Sequence, residues 1–179
     1  LSSLKLLKCL SLNRVYKIRK LPDGFSRSSS NLKILDLKSC YDLQAIPYTI
    51  GSMKNLTHLD MSECHLIDFM PIGITRLVNL QVLKGFVVSG RRNIMRCSLG
   101  HLLRLEKLRK LSIYTNRGIT GNEGEFICLI RFKALQVLTI SWTKLPSQAP
   151  QIKRWFLDVP IPSSLPPSLE KLDLRCWPL

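Results

Sequence analysis

Apolar residues recur along this chain in a fixed series that ends in a proline. One copy of the series consists of Leu35, Leu37, Cys40, Leu43, Ile46 and Pro47. It recurs 25 residues earlier, as Leu10, Leu12, Val15, Ile18, Leu21 and Pro22. It recurs 24 residues later, as Leu59, Met61, Cys64, Ile67, Met70 and Pro71. Apolar residues two positions apart share one face of a strand, so the pattern predicts a tandem repeat with one strand in each unit.

A second apolar series follows each proline at a spacing of three residues. Its members are Ile50, Met53 and Leu56 in one unit, and Ile74, Leu77 and Leu80 in the next. This spacing predicts a short helical or 3₁₀ segment on the outer side. The full pattern, L-x-x-L-x-L-x-x-(N/C)-x-x-L-x-x-(I/L)-P, is that of the leucine-rich repeat. We therefore predict an α/β solenoid, a leucine-rich-repeat horseshoe with a parallel β-sheet on its concave face and short helical, 3₁₀ or irregular convex segments.

A single unit of this kind cannot fold alone. It offers about seven buried apolar side chains, each worth roughly 1.5–3 kcal/mol. Ordering its backbone costs about 1–2 kcal/mol for each residue. The units must therefore stack and bury their faces against their neighbours. The Cys40 and Cys64 position, at the turn after each strand, is expected to point into the stack and approach the neighbouring backbone.

The later units are less regular. The fourth keeps Leu83 but has Gly85 where the earlier units have Leu37 or Met61, which predicts a weaker strand. Further strands are expected at three places, Leu111/Ile113, Leu138/Ile140 and Leu172/Leu174. We predict one domain over residues 1–179, with about seven repeats, regular over 1–84 and longer and irregular over 85–179. Loops that depart from the repeat are expected at 27–30, 118–125 and 144–167.

The beginning and end of the chain predict a piece of a longer protein. It opens at Leu1 without an initiator methionine or a leader, and it stops just past a predicted strand. Terminal repeats need polar caps, which are absent from the pattern. We therefore expect these 179 residues to be poorly soluble on their own.

The charge of the chain indicates what kinds of partner to expect. Its 27 basic and 12 acidic side chains give a net charge of +15. The basic residues are scattered and lack the interleaved aromatic residues of a single-strand stacking platform. This arrangement favours solvated faces or docking to acidic protein surfaces over nucleic-acid binding. The sequence also contains no run of apolar residues long enough for a transmembrane helix.

The six cysteines do not have the spacing of a zinc site. We expect reduced thiols that are mostly buried, as in proteins of a reducing compartment, rather than disulfides.

No motif in the chain predicts catalysis. The stretch 85–92, GFVVSGRR, has P-loop-like glycines but lacks the lysine and the Ser/Thr of that motif. The three histidines have no metal-ligand spacing, and Glu123 and Glu125 fall in a predicted loop where nothing would raise their pKa values. We therefore expect no enzyme activity, no cofactor and no metal.

What remains is the concave surface, where residues alternating with the buried leucines face outward. Aromatic residues on such a rigid sheet are typical anchors of protein interfaces. An equally weighted alternative is that Phe86, beside Gly85, folds into the core. The candidate protein-binding residues are Asp36, Lys38, Asp60, Ser62, Lys84, Phe86, Tyr114, Ser141, Asp173 and Arg175.

Three stretches of the chain give it a family resemblance. They are residues 31–64, NLKILDLKSCYDLQAIPYTIGSMKNLTHLDMSEC, residues 77–90, LVNLQVLKGFVVSG, followed by LLRLEKLRKLSI at 102–113, and residues 165–178, LPPSLEKLDLRCWP. Together they resemble the C-terminal leucine-rich-repeat region of plant intracellular nucleotide-binding immune receptors, especially the coiled-coil class.

This resemblance implies a regulator rather than a catalyst. In that family the repeats restrain a nucleotide-binding switch domain and recognise a pathogen effector or a guarded host protein, so both would be protein partners. It also implies a cytoplasmic location, including the inner face of the plasma membrane for a full-length protein. Two alternatives stay open: an ectodomain fragment of a cell-surface leucine-rich-repeat receptor, and an intracellular signalling scaffold. The drifting repeat length and the single sequon, at Asn55, argue against the ectodomain.

Overall fold

The computed structural model describes residues 6–22, 24–88, 95–115, 123–142 and 165–175. Its strands are β1 (Cys9–Ser11), β2 (Ile34–Asp36), β3 (His58–Asp60), β4 (Val82–Val88), β5 (Lys110–Thr115), β6 (Val137–Trp142) and β7 (Lys171–Arg175). The helices are α1 (Phe25–Ser28) and α2 (Glu123–Ile127). Four 3₁₀ segments cover Tyr48–Ser52, Ile72–Arg76, Gly100–Arg104 and Cys128–Arg131.

The seven strands form one parallel sheet in which each strand pairs with the next along the chain. One leucine from each strand is aligned in register, namely Leu10, Leu35, Leu59, Leu83, Leu111, Leu138 and Leu172. These are the positions that the repeat pattern predicts. The solenoid fold expected from the sequence is therefore confirmed.

The core lies between the sheet and the outer segments. Leu35, Leu59 and Leu83 have no exposed surface, and neither do Ile50 and Ile74 from the series after each proline. Pro47 and Pro71, with φ of −65° and −71°, lead directly into 3₁₀ segments. Proline has this φ by its ring geometry, so it positions the chain for the outer turn. The predicted 3₁₀ segments on the outer side are confirmed.

Two rows of side chains, one of cysteines and one of asparagines, connect neighbouring units among the regular repeats. The thiol of Cys40 donates to the carbonyl of Leu12, and that of Cys64 to the carbonyl of Leu37, both at 3.1 Å. This is the backbone contact predicted for these cysteines. In a second row, which the repeat pattern does not identify, Asn55 Nδ2 donates to the carbonyl of Ser30 at 3.1 Å. The thiols thus add a second donor to carbonyl groups that already accept a backbone N–H of their own turn, namely that of Val15 for Leu12 and that of Cys40 for Leu37.

The fourth strand differs from the prediction. It is the longest of the described strands, at seven residues, and its pairing with β5 shifts register between Leu83 and Phe86. Gly85 occupies this shift with a φ of +77°, in the left-handed region that glycine adopts most readily. The extra residue turns Phe86 inward, opposite Ile113, so a bulge replaces the weak strand that we expected.

Two of the predicted loops contain helices. The polar excursion predicted at 27–30 begins inside α1, and both Ser26 of that helix and Ser29 directly after it are buried. The excursion predicted at 118–125 overlaps α2, in which Glu125 forms an ion pair of 3.1 Å with the buried Arg96. Glu125 is therefore not in a loop as predicted. The rest of that segment, and residues 144–164 of the third predicted loop, lie outside the described residues.

Candidate functional site

The concave surface carries polar side chains in register across the sheet. Ser11, Asp36, Asp60 and Lys84 occupy the same position in β1 to β4. The hydroxyl of Ser11 donates to Asp36 Oδ2 at 2.9 Å, and Lys84 Nζ lies 2.9 Å from Asp60 Oδ2. Each carboxylate therefore has a donor from an adjacent strand. The four residues form a continuous polar strip, as the alternation in the sequence predicts.

Both aspartates of this strip also hold the turn after their own strand. Asp36 Oδ1 accepts the backbone N–H of Lys38, and Asp60 Oδ1 accepts that of Ser62, each at 2.9 Å. Such a contact stabilises a turn. The next residue in each turn, Ser39 after Lys38 and Glu63 after Ser62, has a positive φ. The candidate residues Asp36 and Asp60 are thus structural as well as partly exposed.

The carboxylates of this region are kept ionised by their donors. Burial by itself raises the pKa of Asp60, but the N–H and hydroxyl of Ser62 together with Lys84 outweigh it, so the pKa is lowered. The pKa of Glu63 is lowered mainly by the hydroxyl of Ser39, 2.7 Å from Oε2, and further by Lys38. Both groups remain negative well below neutral pH.

Phe86 is not part of the surface. Its side chain is fully buried, because the bulge at Gly85 moves it from the outward-facing to the inward-facing side of the strand. The prediction of Phe86 as a binding residue is wrong, and the alternative that it packs in the core is confirmed. Val87, which occupies the outward-facing position and pairs with Tyr114, is also buried. Tyr114 remains half-buried, in contact with the core.

The remaining candidates lie on the strands toward the end of the sheet. Ser141 and Arg175 pair in register between β6 and β7. Arg175 donates through Nε and Nη2 to Asp173 Oδ2, at 2.9 and 2.8 Å. A shallow cleft of about 280 Å³ links Arg175 with Lys38, Lys84 and Lys110 across the middle of the sheet. Cations from several strands thus face one concave space.

A row of aromatic rings lies beside the polar strip, and sequence reasoning missed it. Tyr16 and Tyr41 have ring centroids 6.0 Å apart, Tyr41 and His65 are 6.5 Å apart, and His65 and Tyr114 are 5.5 Å apart. The first three residues directly follow Val15, Cys40 and Cys64, the equivalent turn positions. Their repeat spacing is the signal that could have revealed them. The row joins the first, second, third and fifth strand units.

The buried thiols among the described residues are suited to packing rather than to reaction. Cys40, Cys64 and Cys97 are buried as predicted, whereas Cys9 is exposed. Burial raises the pKa of both Cys64 and Cys97 to about 12, which disfavours the reactive thiolate. The described part of the chain contains no group of three His, Cys, Asp or Glu residues that could hold a metal ion. None of the described helices is long and apolar enough to cross a membrane.

The parallel sheet, the outer 3₁₀ segments and the cysteine row define the fold as a leucine-rich-repeat solenoid, a class that acts through protein interaction. Comparison with known families agrees: residues 1–178 match the family described as leucine-rich repeat region, and the chain belongs to that family.

One curated relative is the disease resistance RPP13-like protein 4 of Arabidopsis thaliana, 34% identical over 141 residues. The match covers 79% of this chain and 16% of the relative, so the chain spans a small part of that protein's length. The predicted resemblance to plant disease resistance proteins is thereby confirmed.

Solved structures show the same fold. A leucine-rich-repeat protein of Leptospira interrogans superposes with a TM-score of 0.60 at 24% identity, covering 97% of this chain and 44% of that one. The plant peptide hormone receptor RGFR1, solved in complex with RGF2, superposes with a TM-score of 0.55 at 20% identity, covering 97% of this chain and 25% of the receptor.

Proposed function

We propose that this chain is the recognition module of a plant immune receptor and binds its protein partner on the concave face. The observation that supports this most directly is the polar strip of Ser11, Asp36, Asp60 and Lys84, held in register by four paired strands. Adjacent strands lie about 4.8 Å apart, so the strip presents a hydroxyl, two carboxylates and an ammonium group at fixed positions. A rigid surface of this kind loses little conformational entropy on binding.

The partner in this proposal is a pathogen effector or a host protein that the effector modifies. The resemblance to plant resistance proteins supports it, as does the relative from Arabidopsis thaliana. In the same proposal the repeats restrain a nucleotide-binding switch domain in the cytoplasm until recognition occurs. The net charge of +15 suits contact with acidic protein surfaces in either role.

The proposal can be tested by transient expression, in leaves, of the gene product that carries these repeats. The informative changes are Ser112→Arg and Thr139→Arg, because these positions lie in register on the concave face and both are half-exposed. We expect both variants to abolish pathogen-dependent cell death at unchanged protein level. Arg104→Glu is the control, since Arg104 is exposed on an outer 3₁₀ segment.

The outcomes separate the two parts of the proposal. A response that survives both concave variants would overturn recognition by this face. Restraint predicts a different phenotype: deletion of the repeats should cause cell death without any pathogen. A deletion that accumulates normally and stays silent would contradict that second role.

A further inference from the structure

The row of rings formed by Tyr16, Tyr41, His65 and the half-buried Tyr114, called here the ring row, is a surface feature that the polar strip does not explain. Tyr16 is 62% exposed and Tyr41 is 40% exposed. His65 is also exposed, and Leu66 beside it is 49% exposed. Rings so exposed contribute little to the core, yet they are aligned over several units. Tyrosine is among the residues that most often anchor protein interfaces.

The acidic and basic side chains beside the ring row differ in how fully they are paired within this chain. Asp42 Oδ2 accepts the backbone N–H of Lys17 at 3.1 Å, and Glu63 accepts the hydroxyl of Ser39 and lies 3.7 Å from Lys38. The carboxylates near the rings therefore already have hydrogen-bond or charge partners within this chain. The cations beside Tyr16 are less fully paired: within the described residues neither Arg14 nor Lys17 forms an ion pair, although the charge of Arg14 contributes to lowering the pKa of Glu63.

The first unit as a whole has the same imbalance. Residues 1–22 contain six lysines and arginines and no acidic residue. The cations Arg14, Lys17, Arg19 and Lys20 are all exposed. Opposite charges attract across an interface and strengthen encounter, so this end of the ring row suits an anionic partner.

We propose that the ring row binds an extended segment of a separate protein, in which an aromatic or large aliphatic side chain lies next to aspartates or glutamates. The apolar side chain packs against Tyr16 and Tyr41, and the carboxylates meet Arg14 and Lys17. The three ring-to-ring steps of 6.0, 6.5 and 5.5 Å match a segment of about six extended residues at roughly 3.3 Å each. This site extends the concave surface under Proposed function, and it rests on that function.

The packing of the rings favours a peptide over a nucleic acid. Tyr41 and His65 each have a ring on either side, and their planes differ by only 18°. The other two pairs are tilted by 31° and 49°, so the row does not offer a series of parallel ring faces on which successive bases could stack. The ring edges and the tyrosine hydroxyls suit contact with a peptide backbone and its side chains.

The test is direct binding of the protein that carries these repeats to synthetic polymers, measured by fluorescence anisotropy at fixed salt. The probes are a random copolymer of glutamate and tyrosine, polyglutamate of equal length, and an oligothymidylate. We expect the copolymer to bind about ten-fold more tightly than polyglutamate, because only the copolymer supplies rings beside carboxylates. The double variant Tyr16→Ala, Tyr41→Ala should lose this ten-fold preference.

Matched variants make the result specific. Tyr48→Ala is the control, since Tyr48 is 55% exposed but begins an outer 3₁₀ segment, and it should retain the preference. Arg14→Glu with Lys17→Glu should weaken binding of both acidic polymers. Equal binding of the two acidic polymers, an equal loss in the Tyr48 variant, or tighter binding of the oligothymidylate would each overturn the proposal. These results do not depend on Ser112, so failure here is distinct from failure of the concave-face test in leaves.

Discussion

Replacing Gly85 with alanine is the sharpest test of the bulge that buries Phe86. Gly85 has a φ of +77°, and a Cβ built on it would lie 2.4 Å from the carbonyl oxygen of Met61 and 2.8 Å from the backbone nitrogen of Ser62. Both contacts are with the backbone of the neighbouring strand, which cannot move aside as a flexible side chain would. The bulge and the β3–β4 pairing therefore cannot both be kept in an alanine variant.

The expected cost has two parts. Holding a non-glycine residue in the left-handed region costs about 1–2 kcal/mol. Forcing extra atoms into a filled site typically costs about 1–3 kcal/mol more. We therefore expect Gly85→Ala to lower the free energy of unfolding by about 3 kcal/mol, a large share of the roughly 5–15 kcal/mol typical of a domain.

The measurement is urea denaturation followed by far-ultraviolet circular dichroism. Gly24→Ala is the matched control, because Gly24 has a φ of −75° and a Cβ there meets nothing within 4 Å. The control should stay within about 0.5 kcal/mol of the wild type. If Gly85→Ala were as stable as Gly24→Ala, the bulge would not have the geometry described, and the burial of Phe86 would need another cause.

Two further predictions concern titratable groups. In the native protein, a thiol reagent should modify the exposed Cys9 quickly and Cys64 only on unfolding, because burial raises the pKa of Cys64 to about 12. Peptide mapping measures the order in which the two thiols are modified, and equal rates of modification would contradict this prediction. The lowered pKa of Asp60 implies stability that is fully present above its usual value of 3.8 and is lost as pH falls through the lower native value. Asp60→Asn should therefore flatten the fall in the free energy of unfolding between about pH 5 and pH 2, and an unchanged slope would refute the role of this carboxylate.

The repeat register was predictable because one physical requirement recurs in every unit. Leu35, Leu59 and Leu83 each occupy a fully buried position in the stack, and a polar residue there would cost several kcal/mol. The periodicity of apolar residues therefore reports the strand positions directly. The thiols of Cys40 and Cys64 were predictable for a similar reason, since a small, weakly polar side chain suits a position that points into the stack against the neighbouring carbonyl.

The bulge in β4 could not be predicted in the same way. A strict alternation of faces places Phe86 outward, and one inserted residue reverses every position that follows. Gly85 permits this insertion, but a glycine in a strand pattern also fits a break or a weak strand. Deciding among these needs the position of Met61 in the neighbouring strand, which local sequence does not contain.

The candidate site was only partly predictable because its contacts join residues one repeat apart. The alternation identified Asp60 and Lys84 as outward-facing but not as an ion pair, and it gave no sign that Asp60 holds the turn at Ser62. The rings of Tyr16 and Tyr41 are 25 positions apart in the chain and 6.0 Å apart in space. Clusters of aromatic and basic residues in a solenoid must therefore be sought at the repeat spacing rather than along the linear sequence.

The double role of the aspartates determines which concave residues can vary without loss of the fold. Removing Asp60 would leave the N–H of Ser62 without its acceptor and Lys84 without its carboxylate, so a loss of binding in that variant would not distinguish recognition from folding. Ser112 and Thr139 lie in register on β5 and β6, on the same face and half-exposed. Neither caps a turn as Asp60 does, so these positions can change the chemistry that a partner meets while the turns stay intact. Specificity on this face is therefore best altered in β5 and β6, and the aspartates of β2 and β3 are best left unchanged.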